Sequence, residues 1–164
     1  RKLLGKTNDW RDPQFWVDYF EFDMSWEKLN SDIKSEIRFY GDVVPVLKKL
    51  KKDYTIVIIS GSDRKFLDLK VEVGEIKHLV DHTFSSVSDF GIMKKEPSLY
   101  KAICKKLGIK PSEMIYVGRN YLHDFQNPNL IGIKSFLLER KGHTKEEYTV
   151  NDLYDFLEKV ENHN

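Results

Sequence analysis

The chain has 164 residues, with 27 basic against 26 acidic side chains and a formal net charge of +1 at pH 7. This balance gives no strong field toward nucleic acid or an anionic membrane, so we expect neither as a partner. The length suits one domain with a hydrophobic core, and no apolar run approaches the roughly 20 residues that cross a bilayer. The single cysteine, Cys104, excludes a disulfide framework and favours a reducing compartment, so we expect a cytoplasmic protein.

Residues 1–38 are rich in aromatic side chains and show no alternating strand pattern. The aromatic residues recur every three to four positions, which predicts two or three amphipathic helices; they are Trp10, Phe15, Trp16, Tyr19, Phe20 and Phe22. Asp12-Pro13 is typical of a helix start, because Asp can cap and Pro is tolerated in the first turn. We interpret the segment as a helical lid over a site, with ordinary core-packing helices as the alternative.

The character of the chain changes at Phe39. After Gly41-Asp42, apolar residues recur at helical spacing as far as Lys52, which predicts a helix. The next run, Tyr54–Ile59, is continuously apolar rather than alternating. That pattern favours a strand buried on both faces of a parallel sheet.

Further along the chain, helices and strands alternate. We predict helices over Arg64–Lys70, Pro97–Leu107 and Asn151–Val160, and strands over Thr83–Ser85, Met114–Val117 and Lys134–Leu138. Gly108 is expected to end one helix as its C-cap, and Asn151 to begin the last as its N-cap. Such alternation builds βαβ units, so the predicted fold class is α/β, a three-layer sandwich with a parallel Rossmann-like sheet.

Two of the predicted strands run into short polar loops. One is followed by Ser60-Gly61-Ser62-Asp63, and the other by the loop Gly118–Asp124. Ligands of open α/β sheets bind outside the carboxyl ends of the strands, so we expect the two loops to share one site. Taken singly, each residue also has a plain interpretation, Ser60 as a turn residue and Asp124 as a loop or capping acid.

The order of four features is more specific than any one of them. Ser60 follows a hydrophobic strand, and Lys94 opens the segment Lys94-Lys95-Glu96-Pro97. Asp124 stands six positions after Gly118, at the end of the second polar loop. Upstream, the segment from Gly41 to Leu50 combines a glycine with a helical apolar stripe.

This order resembles the haloacid dehalogenase superfamily over roughly residues 39–141. Ser60 matches the Ser or Thr of its second motif, and Lys94 the lysine of its Lys-Pro-x-Pro segment, with Lys95 replacing the first proline. Asp124 matches the distal acid of Gly-Asp-x-x-x-x-Asp. The resemblance implies that residues 1–38 are part of a helical cap and that residues 39–164 form the α/β core.

The chemistry that the resemblance implies is phosphoryl transfer, or a related substitution, through a covalent aspartyl intermediate. Ser60 and Lys94 are the implied catalytic residues, because a hydroxyl and an ammonium can stabilise the transferring phosphoryl group. The implied phosphate-binding set is Ser60, Gly61, Lys94 and Arg119. The implied cofactor is Mg²⁺, held by Asp124 and Asn120, since oxygen ligands suit that ion.

One departure from the superfamily pattern concerns the nucleophile. The family places it in an Asp-x-Asp at the end of a first, central strand, whereas Asp9, Asp12, Asp18 and Asp23 follow no apolar strand. Without that strand, two strands would keep unpaired backbone groups in the middle of a buried sheet, at high cost. We therefore expect an upstream segment that carries the first strand and part of the cap; another chain filling the gap is the alternative.

A second departure is Arg119, which stands where the family has its proximal metal-binding Asp. A cation there would repel Mg²⁺, so either Asn120 or Asp124 takes over the metal, Arg119 neutralises the anion, or catalysis is lost. Haloacid dehalogenases need no metal and keep an Asn in this loop, although their loop is spaced differently.

The leading hypothesis is a hydrolase of this superfamily that acts on a small phosphorylated metabolite. A catalytically degraded relative that binds a phosphorylated ligand is the alternative, and a 2-haloacid dehalogenase is a third possibility. The sequence predicts neither the substrate nor the oligomeric state.

Overall fold

The structure is a computed structural model that describes residues 13–142 and 146–162. The α-helices in these segments are α1 (Pro13–Tyr19), α2 (Trp26–Lys34), α3 (Val43–Leu50), α4 (Arg64–Val73), α5 (Ser86–Phe90), α6 (Pro97–Leu107), α7 (Asn127–Asn129) and α8 (Leu153–Glu161). The strands are β1 (Val57–Ser60), β2 (His82–Ser85), β3 (Ile115–Gly118), β4 (Lys134–Leu138) and β5 (Thr149–Val150). Short 3₁₀ turns cover Lys77–Leu79 and Pro111–Glu113, and a π-helix covers Tyr121–Gln126.

The chain divides into two compact units. The first unit comprises residues 1–40 and 51–93, and the second comprises residues 41–50 and 94–164. Each unit therefore takes its residues from two stretches of the sequence.

The first unit is built around a pair of parallel strands. β1 pairs with β2 in a register that places Ser60 opposite Ser85. Helix α4 lies between β1 and β2 in the sequence. Asp63 caps its N-terminus, because the Asp63 carboxylate accepts a hydrogen bond from the Lys65 backbone N–H at 2.8 Å. The buried apolar residues of the first unit include Ile59, Leu67, Leu69, Val71, Ile76, Leu79 and Phe84.

The aromatic segment at the start of the first unit forms α1 and α2, as its periodicity predicts. Several rings contact each other, and Trp16 and Phe20 stack with centroids 5.6 Å apart. Tyr19, Phe20 and Phe22 are each more than half exposed. Trp10 and the expected Asp12 cap lie outside the described residues, and the role of lid stays a prediction.

The second unit holds a three-stranded parallel sheet in the order β3-β4-β5. Ile115 lies opposite Lys134, and Leu137 lies opposite Thr149. Helix α3 packs against α8, and Lys49 pairs with Glu161 at 2.8 Å. The most deeply buried apolar side chains of the unit are Val46, Leu99, Tyr100, Ile103, Ile133 and Val150.

A second contact in this unit joins segments far apart in the sequence. The Arg140 guanidinium donates two hydrogen bonds to the buried Asp42 carboxylate, at 2.7 and 3.0 Å. The Leu153 backbone N–H donates a third at 2.8 Å. This carboxylate therefore fixes the start of α3 to the end of β4 and to the first turn of α8.

The predicted fold class is confirmed: helices alternate with strands, and every strand pair in the described residues is parallel. Helix α6 has the predicted bounds and ends at Gly108, whose φ of 70° is readily adopted by glycine. Strand β4 also has its predicted bounds. The division into a cap at 1–38 and a core at 39–164 stays a prediction.

Some local predictions are wrong. Asp152 rather than Asn151 caps α8, because the Asp152 carboxylate accepts the Asp155 N–H at 2.9 Å. Asn151 instead donates to the Asp155 side chain. The polar segment after Asn120 is a π-helix rather than a loop, and β5 and α5 were not expected.

No helix in the described part of the chain combines the length and the apolar character needed to cross a bilayer.

Candidate active site

In the first unit, polar residues at the carboxyl ends of β1 and β2 and just beyond them form a network that we call the serine cluster: Ser60, Ser62, Asp63, Ser85 and Ser88. The Ser60 hydroxyl oxygen accepts a hydrogen bond from the Ser62 backbone N–H at 3.0 Å, which shapes the turn that contains Gly61. The Ser85 hydroxyl donates to the Ser62 carbonyl at 2.7 Å. The carboxyl ends of both strands are thereby connected.

The serine cluster is completed at the start of α4. The Ser88 hydroxyl donates to the Asp63 carboxylate at 2.9 Å and accepts the Arg64 N–H at 3.0 Å. The Arg64 guanidinium donates to Thr83 Oγ1 at 2.8 Å and pairs with Asp89. Hydrogen bonds from hydroxyl and backbone groups, together with the Asp63 carboxylate, therefore hold the turn after Ser60.

In the second unit, a lysine and an aspartate form a buried ion pair. Lys95 Nζ lies 2.5 Å from Asp124 Oδ1, and the two side chains are 19% and 6% exposed. Lys94, the lysine that the motif match selects, is exposed. The structure therefore brings Asp124 together with Lys95 and not with Lys94.

A tyrosine bridges the two members of this pair. The Tyr116 hydroxyl accepts a hydrogen bond from Lys95 Nζ at 3.0 Å and donates to Asp124 Oδ1 at 3.1 Å. Tyr100 packs edge-on against the Tyr116 ring and donates its hydroxyl to the His123 carbonyl at 2.6 Å. We call Lys95, Tyr116 and Asp124 the lysine–aspartate cluster.

The protonation of this cluster follows from its surroundings. Burial opposes ionisation of Asp124, but the Lys95 ammonium, the Asn120 N–H and the Tyr116 hydroxyl together hold the pKa of that carboxyl below its usual range. Burial, with the neighbouring Tyr100 and Asp124, raises the pKa of Tyr116 well above its ordinary value. At neutral pH, Asp124 is thus a carboxylate and Tyr116 a neutral phenol.

Asp124 reaches this position because β3 ends in a glycine. A Cβ added at Gly118 would lie 2.5 Å from Asp124 Cβ and 2.6 Å from its Cγ. The second carboxylate oxygen, Oδ2, accepts the Asn120 N–H at 3.0 Å. The Asn120 side chain accepts the His123 N–H at 2.8 Å and so caps the π-helix.

The described residues do not form a Mg²⁺ site on their own. Mg²⁺ requires about six oxygen ligands in octahedral arrangement, whereas both Asp124 oxygens and Asn120 Oδ1 already accept hydrogen bonds. Within residues 13–142 and 146–162, no group of three His, Cys, Asp or Glu could hold a metal ion. Arg119, next to Asn120, adds an exposed cation.

The predicted site residues fall into both units. Ser60 and Gly61 belong to the first unit, and the others, Lys94, Arg119, Asn120 and Asp124, belong to the second. Within the second unit, Asp124 and the Asn120 backbone are in contact, whereas Arg119 and Lys94 are exposed.

Sequence reasoning missed Lys95 and Tyr116. Lys95 was passed over because it occupies the place of a proline in the family motif. A signal for Tyr116 was available, since residues two apart in a strand share a face and Tyr116 therefore faces the same side as Gly118. A polar aromatic residue on an otherwise apolar strand, beside the predicted loop, marks a buried hydroxyl that needs a partner.

The lysine–aspartate cluster can present a fixed positive charge to an anion. The Lys95 ammonium has three hydrogens, and the contacts to Asp124 and Tyr116 use two of them. One donor remains for an oxygen of a ligand. Because its two protein partners hold the ammonium in place, that donor would stabilise developing negative charge at little cost in reorganisation.

The known proteins that the chain resembles include haloacid dehalogenases and phosphatases. A family model described as haloacid dehalogenase-like hydrolase matches residues 12–121. The chain is 27% identical over 121 residues to (S)-2-haloacid dehalogenase 4A of Burkholderia cepacia, covering 73% of this chain and 51% of that protein. It is also 27% identical over 123 residues to glyceraldehyde 3-phosphate phosphatase of Methanopyrus kandleri, covering 71% of this chain and 51% of that one.

Among solved structures, a HAD phosphatase from Thermococcus onnurineus superposes with a TM-score of 0.79 at 22% identity, over 93% of this chain and 72% of that one. At that identity the likeness establishes the fold alone. The chain spans about half the length of the curated relatives named above. Because the family model covers residues 12–121, the chain belongs to the haloacid dehalogenase-like hydrolases.

Proposed function

We propose that the protein is a phosphatase that hydrolyses a small phosphorylated metabolite. The observation that carries the proposal is the Lys95 ammonium, held by Asp124 and Tyr116 at the carboxyl end of β3 with one donor to spare. A fixed cation with a free donor suits a phosphoryl oxygen, because that group gathers negative charge as it is transferred.

In the proposed reaction, an aspartate carboxylate attacks phosphorus, an oxygen–phosphorus bond forms, and the ester oxygen leaves as the alcohol after taking up a proton. Water then hydrolyses the acyl phosphate, which releases inorganic phosphate and restores the carboxylate. Lys95 would donate to a phosphoryl oxygen in both steps. The phosphate-binding roles of Ser60 and Gly61, which belong to the first unit, stay predictions.

The nucleophilic aspartate remains a prediction for a segment that precedes residue 1. Two observations support that proposal: β1 is paired only with β2 in the described residues, and β3 is paired there only with β4. Within the described residues, each of these two strands therefore has a neighbouring strand on one side only. An Asp-x-Asp after an apolar strand in the full-length protein, with loss of turnover on Asp→Asn, would support the assignment; its absence there would contradict it.

Phosphatase is favoured over dehalogenase by the loop after β3. Asp124 follows Gly118 by six positions, as in the phosphatase pattern Gly-Asp-x-x-x-x-Asp, whereas the dehalogenase loop is spaced differently. The relative from Methanopyrus kandleri is also named a phosphatase.

A dehalogenase is the second candidate, and one observation favours it. Asn120 lies in the loop after β3, where the dehalogenases of this superfamily keep an Asn. The relative from Burkholderia cepacia is a dehalogenase as well. A carboxylate nucleophile would then displace halide from carbon rather than attack phosphorus.

A single set of assays separates these functions. The full-length protein is tested for phosphate release from a panel of sugar and glycolytic phosphates, with and without Mg²⁺, and for chloride release from 2-chloropropionate. Phosphate release that falls about a hundredfold or more in Lys95→Ala, and is kept in Lys94→Ala, supports the proposal. Chloride release alone would establish the dehalogenase, and ligand-induced stabilisation without any turnover would indicate a binding protein.

A further inference from the structure

The second unit contains a concavity whose walls belong to none of the residues of the lysine–aspartate cluster. It has a volume of about 740 Å³, within the range of small-molecule sites. Its walls come from the π-helix, β4, the residues before β5 and α8; they include Phe125, Lys134, Ser135, Phe136, Tyr148 and Lys159. We call this concavity the edge cavity.

The residues that line the edge cavity include none of Lys95, Tyr116 and Asp124, although Phe125 directly follows Asp124 in the π-helix. The walls of the edge cavity include the first residues of β4 and the last residues of α8, whereas Gly118 and Asp124 lie at the carboxyl end of β3. A ligand in the edge cavity would therefore occupy a second site.

The cavity exists because β5 is short. β5 pairs with β4 only at Leu137 and Leu138, and a turn closed by the Thr149 N–H to the Glu146 carbonyl precedes it. Along β4, the Leu137 and Glu139 N–H groups donate toward the β5 side. By the alternation of a strand, the Ser135 N–H faces that same edge, where none of the described strands lies.

Two aromatic rings form one wall. Phe125 and Tyr148 stack with centroids 4.4 Å apart and planes inclined by 21°. Both rings are only half-buried, so part of their apolar surface faces the cavity. Such surface favours a ligand with a flat apolar body.

The charge of the walls favours an anion. Lys134 and Lys159 are half-buried, and neither forms an ion pair with any residue of 13–142 or 146–162 that the structure describes. The Lys134 ammonium lies 5.6 Å from the centre of the Phe136 ring. Glu147 supplies one carboxylate, which leaves a net positive charge on the walls.

We propose that the edge cavity binds a small aromatic anion, with its ring against Phe125 and Tyr148 and its charged group at Lys134 and Lys159. The Ser135 N–H is a further donor for the anionic group. The proposal does not depend on the catalytic reaction, since it uses none of the residues assigned to it.

The test uses naphthalene-2-sulfonate, which has a flat ring and an anion that no phosphatase hydrolyses. Titration into the full-length protein is followed by calorimetry and by the backbone amide spectrum. Saturable binding with a shift of the Ser135 amide is expected. The neutral naphthalene-2-sulfonamide and the ring-free methanesulfonate should each bind at least about tenfold more weakly. The first lacks the negative charge and the second lacks the aromatic ring.

Variants locate the binding. Lys134→Ala with Lys159→Ala should weaken binding about tenfold or more, whereas Lys105→Ala, on the exposed face of α6, should not. Lys134→Gln with Lys159→Gln repeats the test with longer side chains, should the alanine pair fail to fold. No saturable binding, equal binding of the sulfonamide, or unchanged affinity in the folded double variant would overturn the proposal.

Discussion

The serine cluster and the lysine–aspartate cluster hold their polar groups in different ways. In the first, hydroxyls, backbone groups and the half-buried Asp63 carboxylate bind one another near the ends of β1 and β2, and each bond replaces one that water could supply. In the second, a buried carboxylate depends on one ammonium. Net hydrogen-bond contributions are small, but an unpaired buried charge is costly. The second cluster should therefore tolerate change far less than the first.

The largest effect is expected from removal of the ammonium. Lys95→Ala leaves the Asp124 carboxylate buried without its counter-ion, and the free energy of unfolding should fall by about 3–5 kcal/mol. The matched control is Lys94→Ala, which changes an exposed neighbour and should stay within about 0.5 kcal/mol. Chemical denaturation measures both. Equal effects of the two variants would mean that Lys95 is not the partner of Asp124.

The next effect concerns the other buried pair of the second unit. Burial disfavours the Asp42 carboxylate, but the Arg140 guanidinium and the Leu153 N–H hold its pKa below the ordinary 3.8. Its contribution is therefore fully present above about pH 4 and is lost as the pH falls through the folded-state pKa. Asp42→Asn should cost about 1.5–3 kcal/mol at neutral pH.

Denaturation at a series of pH values tests this sign. The loss of stability on acidification should be shallower in Asp42→Asn than in the parent protein, because one depressed carboxyl no longer titrates. Asp68→Asn is the control, since Asp68 forms only an exposed pair with Arg64. A steeper acid slope in Asp42→Asn would contradict the assignment.

A smaller effect is expected where the backbone makes room for Asp124. In Gly118→Ala the new Cβ would meet the Asp124 side chain at 2.5 Å, so the carboxylate must move away from Lys95 and Tyr116. We expect a loss of about 1–3 kcal/mol in unfolding free energy. Gly41→Ala has open space around its Cβ and serves as control. A neutral Gly118→Ala would show that Asp124 is free to shift.

In the serine cluster, stability and activity should separate. Ser60→Ala and Ser88→Ala each remove a hydroxyl that accepts a backbone N–H, and each should cost roughly 0.5–1.5 kcal/mol. If the proposed function holds, only Ser60→Ala also lowers kcat, by about a hundredfold. Steady-state kinetics beside thermal melts distinguishes the two, and equal kcat values would remove Ser60 from the site.

The smallest effect is expected from the bridging phenol. Tyr116→Phe keeps the ring against Tyr100 and leaves the Lys95–Asp124 pair intact, so it should cost roughly 0.5–1 kcal/mol. Differential scanning calorimetry can resolve that change. A loss as large as that of Lys95→Ala would mean that the phenol and not the ammonium holds the carboxylate.

The parts of the fold that sequence predicts best have local causes. Helix α6 is bounded by Pro97 and by Gly108, whose chemistry acts within one turn, and β4 is a compact apolar run. Strand β5 was not predicted, because its two residues are too few to show a periodic pattern. They form a strand only because they pair with β4. The cap of α8 was misplaced by one residue because Asn151 and Asp152 are both good capping residues.

The candidate site was predictable in outline and not in detail. The polar loop after β3 and the importance of Asp124 follow from the sequence. The sequence does not show whether Lys94 or Lys95 is the partner of Asp124. The two adjacent lysines differ only in the direction in which the backbone points their side chains. That direction depends on how the chain enters α6 and on where the π-helix places Asp124, and both are tertiary properties.

Asp124 lies within the π-helix Tyr121–Gln126. Its position therefore depends on how many residues separate it from Asn120, as well as on which residues these are. Each residue of an ordinary α-helix turns the chain by about 100° and advances it by about 1.5 Å. The Asp124 N–H donates to the Asn120 carbonyl at 2.7 Å, so a deletion of one residue between them would break this turn and move the carboxylate away from Lys95. Relatives with a shorter loop must therefore place an acid by another route, so loop length itself can separate branches that share every catalytic side chain.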